Sequence, residues 1–180
     1  MYKASRFVLT IKSIKMETKT VSNRMFSLVI LYDMHTKFFS SALEGISDKD
    51  AHNRLNTKAN HIAWLTGSLV EQRYEIAREL GSDLKQAAHE LFKDNKGIQD
   101  GVTYPPLDAF KKDWEAITPV LRDAFMKVSD DKLDESFEMM PGMKMTYYEL
   151  ITFIIYREAN IIGQLALWRR LLGYEAMKYM

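Results

Sequence analysis

The sequence predicts an all-α protein that folds as a four-helix bundle with long crossover loops. Four segments of about twenty residues each carry apolar side chains at spacings of three and four, which places those side chains on one helix face. Four prolines and eight glycines occur among 180 residues, of which 47% are hydrophobic. This composition disfavours both a turn-rich β fold and a disordered chain.

Turn and capping residues delimit the first two long helices. The first is predicted over residues 22–43 and ends before Gly45, with a buried stripe formed by Met25, Leu28, Val29, Tyr32, Phe39 and Leu43. Residues 47–50 form a short capping box that begins another turn or two of helix. The second long helix is predicted over residues 57–80 with Gly81 as its stop, and its stripe contains Ile62, Leu65, Leu69, Ile76 and Leu80.

A short helix, a long loop and a third long helix follow. Residues 82–92 are predicted to be a short helix, and residues 93–106 form a crossover loop rich in turn formers that ends in two prolines. The third long helix is predicted over residues 107–128. Pro119 lies inside it, which predicts a kink or a break at that point. Its stripe contains Phe110, Trp114, Ile117, Leu121 and Phe125.

The last long helix has the clearest start of the four. It follows an irregular segment over residues 129–145. Thr146 is placed to cap the helix, and Glu149 three residues later is placed to reach back to the cap residue. The helix is predicted to continue to Leu172, with Gly173 at its end.

One domain is expected, because 180 residues suffice for a full apolar core. Residues 1–20 are predicted to be a poorly ordered or loosely attached extension, and residues 21–180 to be the domain. The apolar run over residues 7–11 is too short for a signal peptide and is followed by lysines. Translation starts at Met1 or at Met16 in this interpretation.

Charge and cysteine content narrow the expected partners and location. Lys and Arg total 25, Asp and Glu total 24, and the net charge of +1 gives no electrostatic basis for binding nucleic acid. The absence of cysteine excludes disulfides and fits a cytoplasmic location. Charged and polar residues are expected to interrupt every stretch of the last helix long enough to cross a bilayer, so no membrane is expected as a partner. These residues are Arg157, Glu158, Asn160, Gln164, Arg169 and Arg170.

Polar residues on the buried side of the second long helix form a first candidate cluster. Bundle proteins build their sites from side chains of facing helices. His61, Ser68 and Glu71 follow the spacing i, i+7, i+10, and Trp64 and Gln72 lie beside them. These residues are therefore candidates for lining a pocket.

The last long helix carries the second candidate cluster. Arg157, Ile161, Gln164 and Trp168 form one stripe, and Glu158 lies next to it. Neither cluster contains a Glu-x-x-His motif, and no two histidines share a spacing that builds a metal-binding helix face. No metal site is therefore predicted from residue spacing.

Two segments resemble proteins of the DinB-like superfamily. Residues 60–70, with the sequence Asn-His-Ile-Ala-Trp-Leu-Thr-Gly-Ser-Leu-Val, resemble the second helix of that superfamily, together with Arg73-Tyr74 and Leu80-Gly81. Residues 157–173 are similar to its final helix. The resemblance extends from about Met16 to the end of the chain and includes the helix order and the loop that ends in Tyr104-Pro105-Pro106.

The resemblance implies a four-helix bundle, a homodimer and, in many members, a divalent metal held by three histidines. The positions of those histidines correspond to Ser68, Arg157 and Ile161 here. A hydroxyl is a poor ligand, isoleucine is none, and arginine keeps its proton. The chain is therefore expected to lack the cofactor of its relatives. The alternative is a divalent metal such as zinc or nickel bound elsewhere in the site.

These observations lead to an expected function and an expected arrangement of the site. The chain is interpreted as a small-molecule-binding or interaction protein. It is expected to be a homodimer, with a small anionic molecule as its candidate ligand. Arg157 is expected to fill the space of the missing ion, with the Ser68 hydroxyl nearby and Glu71, Glu75 or Glu158 as its charge partner, because an unpaired buried charge is costly.

Two alternatives remain open at this point. The first is a transferase or hydrolase, with or without a metal, whose site lies between the second and last long helices and uses His61, Glu71, Arg157 and Glu158. The second is a nucleic-acid-associated protein, which the near-zero net charge disfavours.

Overall fold

A computed structural model describes residues 19–179 of the chain. The chain is mostly helical, which confirms the predicted all-α class. The predicted extension over residues 1–20 lies outside the described residues, except for its last two. Of these, Thr20 is buried, and the backbone N–H of Val21 donates to the carbonyl of Met126 over 2.9 Å. The packed part of the chain therefore begins no later than Thr20.

Seven helices and one hairpin occur within the described residues. A short 3₁₀ turn precedes the first helix, and a second one follows the fourth helix, at Asn23–Met25 and Lys93–Asn95 respectively. The elements in chain order are α1 (Phe26–Leu43), α2 (Asp48–Ala51), α3 (Ile62–Glu79), α4 (His89–Phe92), α5 (Leu107–Lys127), α6 (Asp130–Asp134), β1 (Ser136–Met140), β2 (Met143–Thr146) and α7 (Tyr147–Leu171).

The four long helices α1, α3, α5 and α7 correspond to the four predicted from the sequence. The capping box at the start of α7 is present, since the Thr146 hydroxyl accepts from the backbone of Glu149 and the Glu149 carboxylate accepts from the backbone of Thr146. Gly173 ends the helix region with a φ of 87°, a conformation that glycine adopts without strain. Helix α5 continues through Pro119, so the predicted break is absent.

The start of α3 differs from the prediction. The helix begins at Ile62 instead of residue 57, because the His61 ring accepts a hydrogen bond from the backbone N–H of Trp64 over 3.1 Å and caps the helix. Residues 57–60, predicted to be the first turn of the helix, form bends and irregular chain, and they follow Leu55 and Asn56, whose φ values are positive at 48° and 58°. His61 is thus a hydrogen-bonded structural residue at the helix N-terminus, although the helix was predicted to begin earlier.

Two predicted connections also differ. The short helix predicted over residues 82–92 is reduced to α4, because Gln86 turns inward and donates hydrogen bonds from its amide to Glu71 and to the carbonyl of Gly67. The segment over residues 129–145, predicted to be irregular, contains α6 and the antiparallel pair β1 and β2. The ring of Phe137 on β1 contacts the ring of Tyr147 and attaches the hairpin to α7.

Side-chain contacts define the directions of the long helices. Helices α1 and α7 are parallel, since Arg24 stacks on Tyr148 near their starts and Arg169 donates to the carbonyl of Ala42 near their ends. Helix α3 runs antiparallel to α7. The carbonyl of Ile154 in α7 accepts from Gln72, whereas Arg157, which lies later in α7, donates to Ser68, which lies earlier in α3. Helix α5 packs against α1 and α3.

The interior is made of the apolar stripes of the four long helices. Every residue predicted for the stripes of α1 and α5 is buried, and Phe39 of α1 stacks on Trp114 of α5 with ring centroids 3.9 Å apart. Leu80 is the one stripe residue of the second helix that is only partly buried. The buried set also contains charged side chains: Glu71, Arg73, Glu158 and Arg169.

Helix α7 is long and apolar enough to cross a membrane by length and composition, and no other described helix is. An eighteen-residue window of this helix has a mean hydropathy of 1.3 and holds no more than two charged residues. The prediction that charged and polar residues interrupt every such stretch is therefore wrong. The isoleucines raise the mean hydropathy of this window more than Arg157 and Glu158 lower it. Helices buried in a protein interior also reach such a mean hydropathy.

Candidate functional site

A cavity of about 160 Å³ lies between α3, α7 and the chain segment that follows α4. Its polar lining comes mainly from α3 and α7, where the side chains repeat at helical spacing and so share one face. The polar lining residues are Ser68, Glu71, Gln72, Glu75, Asn95, Lys96 and Arg157. The apolar lining residues are Trp64, Phe92, Leu150, Phe153 and Ile154.

Arg157 is the central cation of this cavity. One guanidinium nitrogen donates to the Ser68 hydroxyl over 2.8 Å, and another donates to the side-chain carbonyl of Gln72. Burial lowers the pKa of Arg157, and the charges of Glu75 and Glu158 act in the opposite direction. Among the described residues, Arg157 hydrogen-bonds only the uncharged side-chain oxygens of Ser68 and Gln72.

The expected ion pair of Arg157 with a carboxylate is not formed among the described residues. Glu71 is engaged by other groups: Arg78 donates to it over 3.0 Å, His89 over 2.7 Å and Gln86 over 2.8 Å. Glu158 faces the interior of the protein, where Arg73 binds it. Sequence reasoning placed Ser68 beside Arg157 correctly but assigned the cation a charge partner that it does not contact.

Glu75 lies on the same cavity wall, one helical turn after Glu71. It accepts no hydrogen bond and forms no ion pair with the described residues, although Arg157 is close enough to lower its pKa. Burial and the charge of Glu71 have a larger effect and raise the pKa of Glu75 above its ordinary value. Among the described residues, Glu75 is thus a carboxylate without a bonded partner, and it lies near Arg157, a cation that no carboxylate contacts.

Two further polar groups belong to the cavity lining. The indole N–H of Trp64 is buried and has no hydrogen-bond partner among the described residues. Such donors are costly to bury, and they usually bind water or a ligand. The ammonium group of Lys96 donates to the carbonyl of Glu90 over 3.0 Å at the opposite wall.

Arg73 and Glu158 form a second polar centre beside the cavity. The side chains of both residues are fully buried. Two nitrogens of Arg73 donate to the two oxygens of Glu158 over 2.6 and 3.1 Å, and the ring of His35 donates to Glu158 over 3.2 Å. Burial raises the pKa of Glu158, but the charge of Arg73 and the hydrogen bonds outweigh it, so the pKa is held below its ordinary value.

The remaining nitrogens and the faces of the Arg73 guanidinium are also occupied. One nitrogen donates to the hydroxyls of Thr36 and Thr118 over 3.0 and 2.8 Å. The guanidinium stacks on the rings of Tyr32 and Trp114, with its carbon 3.9 and 3.3 Å from their centroids. These contacts leave no room for a ligand, so this centre holds α1, α3, α5 and α7 together.

The other residues predicted for the site lie elsewhere. His61 caps α3 and contacts the rings of His52 and Tyr104, and burial lowers its pKa to about 4. Ile161 and Trp168 are buried in the apolar core. Gln164 is exposed and donates to Asn160.

The four residues of the predicted enzyme alternative therefore do not converge. Glu71 and Arg157 line the cavity, whereas His61 lies at the N-terminus of α3 and Glu158 in the interior. General acid–base chemistry requires the reacting groups within hydrogen-bond reach of one substrate position. This set of four does not meet that requirement.

The metal implied by the resemblance does not fit the residues at the corresponding positions. The Ser68 hydroxyl accepts a hydrogen bond from the Arg157 guanidinium, so the two groups satisfy each other, and Ile161 offers only hydrocarbon. A permanently charged guanidinium repels a cation and cannot coordinate it. Among the described residues, no group of three His, Cys, Asp or Glu side chains is placed to hold a metal ion.

Sequence reasoning missed Arg73 and His35, although both carried a signal. Arg73 lies between Leu69 and Ile76 on the predicted stripe of α3, and His35 lies between Tyr32 and Phe39 on the stripe of α1. A charged or titratable residue at a stripe position predicts a buried polar partner on a facing helix. The cavity residues Asn95 and Lys96 carried no such signal, because they lie in a connection.

Comparisons with known proteins assign no family to this chain. No protein-family model matches it, and no curated protein has a significantly similar sequence.

Proposed function

We propose that the chain is a DinB-like four-helix-bundle protein without the metal centre of that superfamily, and that it binds a small anionic molecule in the cavity between α3 and α7. One observation carries the proposal: Arg157 lines this cavity and hydrogen-bonds only neutral oxygens among the described residues. This cation is partly buried, and no carboxylate among the described residues contacts it.

The arrangement of the helices supports the architectural part of the proposal. Four long helices share one apolar interior, and long connections separate α3 from α5 and α5 from α7. The two segments that resemble DinB-like proteins contribute Trp64, Ser68 and Arg157 to the cavity lining. In this interpretation the ligand lies near the position where metal-bearing relatives hold the ion.

The energetics of buried charge support the ligand class. A buried guanidinium retains its charge, and removing it from water is compensated only by an opposite charge or by strong hydrogen bonds. Ser68 and Gln72 supply two hydrogen bonds but no charge. A ligand carboxylate would supply both, and a planar guanidinium is suited to bind one.

The binding test is a titration with isocaproate, a carboxylate with a branched hydrocarbon tail. Calorimetry or chemical shifts of amides in α3 and α7 report the binding. We expect saturable binding, which Arg157→Gln reduces at least tenfold, whereas Arg170→Gln has no effect because Arg170 is exposed at the end of α7. Isocaproate binding that Arg157→Gln leaves unchanged contradicts the proposal, as does the absence of binding by both isocaproate and its α-amino counterpart, leucine.

The metal-free part has its own test. Protein purified without added metal is analysed for bound metals and unfolded thermally with and without a chelator. We expect less than stoichiometric metal and an unchanged Tm, because a native-state metal contributes to stability in proportion to its affinity. Stoichiometric zinc, nickel or iron would show that the chain kept a metal site.

We propose further that the protein is a homodimer and that the outer faces of α1 and α7 form the interface. These adjacent parallel helices expose large apolar side chains, namely Phe26, Ile30, Leu31, Met34, Phe153, Tyr156, Leu167 and Leu171. The exposed residues of α7 from 152 to 167 include no charged side chain. Two helices of this length present a face of about 700 Å², close to the roughly 800 Å² per partner of a specific interface.

Gly163 lies on the same face of α7 and supports a second copy as its partner. A Cβ at this position would meet no atom within 4 Å, so packing within the chain does not require glycine. Glycine inside a helix costs about 0.5–1 kcal/mol relative to alanine. A close approach of a helix from another copy would explain why no side chain is present.

Light scattering after gel filtration tests the dimer. We expect the mass of two chains for the wild type and of one chain for Leu167→Glu, since a carboxylate there would be buried against the partner. Glu115→Gln, an exposed change on α5, serves as the control. A monomeric wild type, or a wild type that requires detergent or vesicles, would contradict the assignment of this face to a second copy.

A further inference from the structure

We infer that the ligand of the cavity is a small zwitterion of the α-amino-acid class with an apolar side chain, its carboxylate bound at Arg157 and its ammonium group at Glu75. This inference rests on the binding function proposed above and specifies its ligand. It arises from the carboxylate of Glu75, which a ligand with only a negative charge does not use.

The two charges are close but do not bind each other. Each affects the pKa of the other, which places them in the same electrostatic environment. No ion pair joins them, and Arg157 instead holds Ser68 and Gln72. A cation and a carboxylate that line one cavity without contact leave a gap that a molecule with both charges can bridge.

The carboxylates near this gap other than Glu75 are already paired with cations. Glu71, the second carboxylate of the cavity, is engaged by Arg78 and His89. Glu158 is engaged by Arg73 and His35 on the other side of α7. Glu75 is thus the carboxylate of the cavity that has no bonded cation among the described residues.

An ammonium group near Glu75 would relieve two unfavourable effects. The carboxyl is partly buried and lies near the charge of Glu71, and both effects disfavour its ionised form. A bound cation stabilises that form and hydrogen-bonds its oxygens.

The size and the apolar wall restrict the rest of the ligand. The cavity is small, with a volume of about 160 Å³. Phe92, Leu150 and Phe153 provide a hydrocarbon surface next to the charged residues. A branched aliphatic side chain meets both limits, because it adds apolar contact and only a small volume.

Three matched probes test the inference: leucine, isocaproate, which lacks the amino group of leucine, and isoamylamine, which lacks its carboxylate. Affinities are measured by calorimetry at neutral pH and constant ionic strength. We expect leucine to bind at least tenfold more tightly than isocaproate, and isoamylamine to bind most weakly. A tenfold difference corresponds to about 1.4 kcal/mol.

Variants assign each charge to its half of the ligand. Glu75→Gln is expected to remove the preference for leucine over isocaproate, and Arg157→Gln to weaken binding of both acids at least tenfold. Glu115→Gln on α5 is the control for a change of one exposed negative charge. Circular dichroism and thermal unfolding establish that each variant is folded.

The outcomes separate this inference from the proposed function. Equal binding of leucine and isocaproate, both dependent on Arg157, overturns the zwitterion and leaves the anion site standing. Binding of neither acid overturns both. Leucine binding that Glu75→Gln leaves unchanged also overturns the inference, because the ammonium group would then lie elsewhere.

Discussion

Arg73 and Glu158 form an ion pair in which neither side chain is exposed to solvent. The pair joins α3 to α7, and the stacking of Arg73 between Tyr32 of α1 and Trp114 of α5 extends the contact to all four long helices. Removing two charges from water costs about as much as their attraction returns. We therefore expect this pair to fix the register of the helices more than to add net stability.

The first prediction concerns the loss of one partner of this pair. Glu158→Gln keeps the shape of the side chain but leaves the charge of Arg73 buried without a counter-charge. The free energy of unfolding is expected to fall by about 3–5 kcal/mol. Urea unfolding followed by circular dichroism measures the change.

An exposed ion pair provides the control. Asp123→Asn removes the partner of Lys127, 2.7 Å away on the surface of α5, and is expected to cost less than about 1 kcal/mol. Replacing both buried charges, as in Arg73→Met with Glu158→Leu, is expected to cost less than Glu158→Gln alone. A Glu158→Gln protein as stable as the wild type would show that the charge of Arg73 is compensated elsewhere.

The second prediction concerns stability in mild acid. Burial lowers the pKa of His61 from its ordinary value of 6.5 to about 4. Between these pH values, His61 is protonated in the unfolded state and neutral in the folded state. The free energy of unfolding should therefore decrease as the pH falls from about 6.5 to about 4. The Glu158 carboxyl, with its lowered pKa, loses its contribution only below about 4.3, the ordinary value for glutamate.

His61→Asn isolates this effect. Asparagine is a good N-cap, so the variant should keep most of the cap of α3 and lose the fall in stability that His61 causes between pH 6.5 and 4, leaving the opposite effect of Glu75. His61→Ala should lose the cap as well, at a cost of about 1 kcal/mol. A pH profile of His61→Asn identical to that of the wild type would assign the acid sensitivity to another group.

Periodicity predicted the helices well and the site only in part. The apolar stripes and the cap formed by Thr146 and Glu149 are local features, so the sequence identified α5 and the start of α7 within one or two residues. Which helix faces which is a property of the packed chain. The sequence therefore placed Arg157 toward α3. It did not show that Glu158 would form a buried ion pair with Arg73 of the same helix.

The same reason explains the errors in the connections. The segment before α4 has helical spacing, but Gln86 gains two buried hydrogen bonds to α3 by leaving the helix. The α6 and hairpin region depends on Phe137 packing against Tyr147, a contact that local spacing does not indicate. Tertiary contacts of single side chains decided both segments.

The third prediction concerns Gly67, where α3 passes close to α4 and α5. A Cβ at Gly67 would lie 2.2 Å from one ring carbon of Phe92 and 2.7 Å from one of Phe110. Because overpacking of a filled core is unfavourable, Gly67→Ala should lower the free energy of unfolding by about 1–3 kcal/mol. The loss should appear in urea unfolding at neutral pH.

A double-mutant cycle with Phe92→Ala tests the cause. Phe92→Ala alone should cost about 3–5 kcal/mol, since a buried ring is lost. The double variant should cost less than the sum of the two, because the smaller side chain makes room for the new methyl group. Strict additivity would indicate that Gly67 is needed for another reason, such as its backbone conformation.

The fourth prediction links the cavity to stability through Glu75. Its raised pKa means that the folded state binds a proton more readily than the unfolded state. The contribution of this group is therefore favourable at low pH and is lost as the pH rises through the raised pKa. Glu75→Gln, which removes the charge, should stabilise the free protein at pH 7 relative to the wild type and by less at pH 4. Saturating leucine should reverse the order at pH 7, because only the wild type gains the ammonium contact. A Glu75→Gln protein less stable than the wild type at pH 7 without ligand would show that the carboxylate already has a partner within the chain.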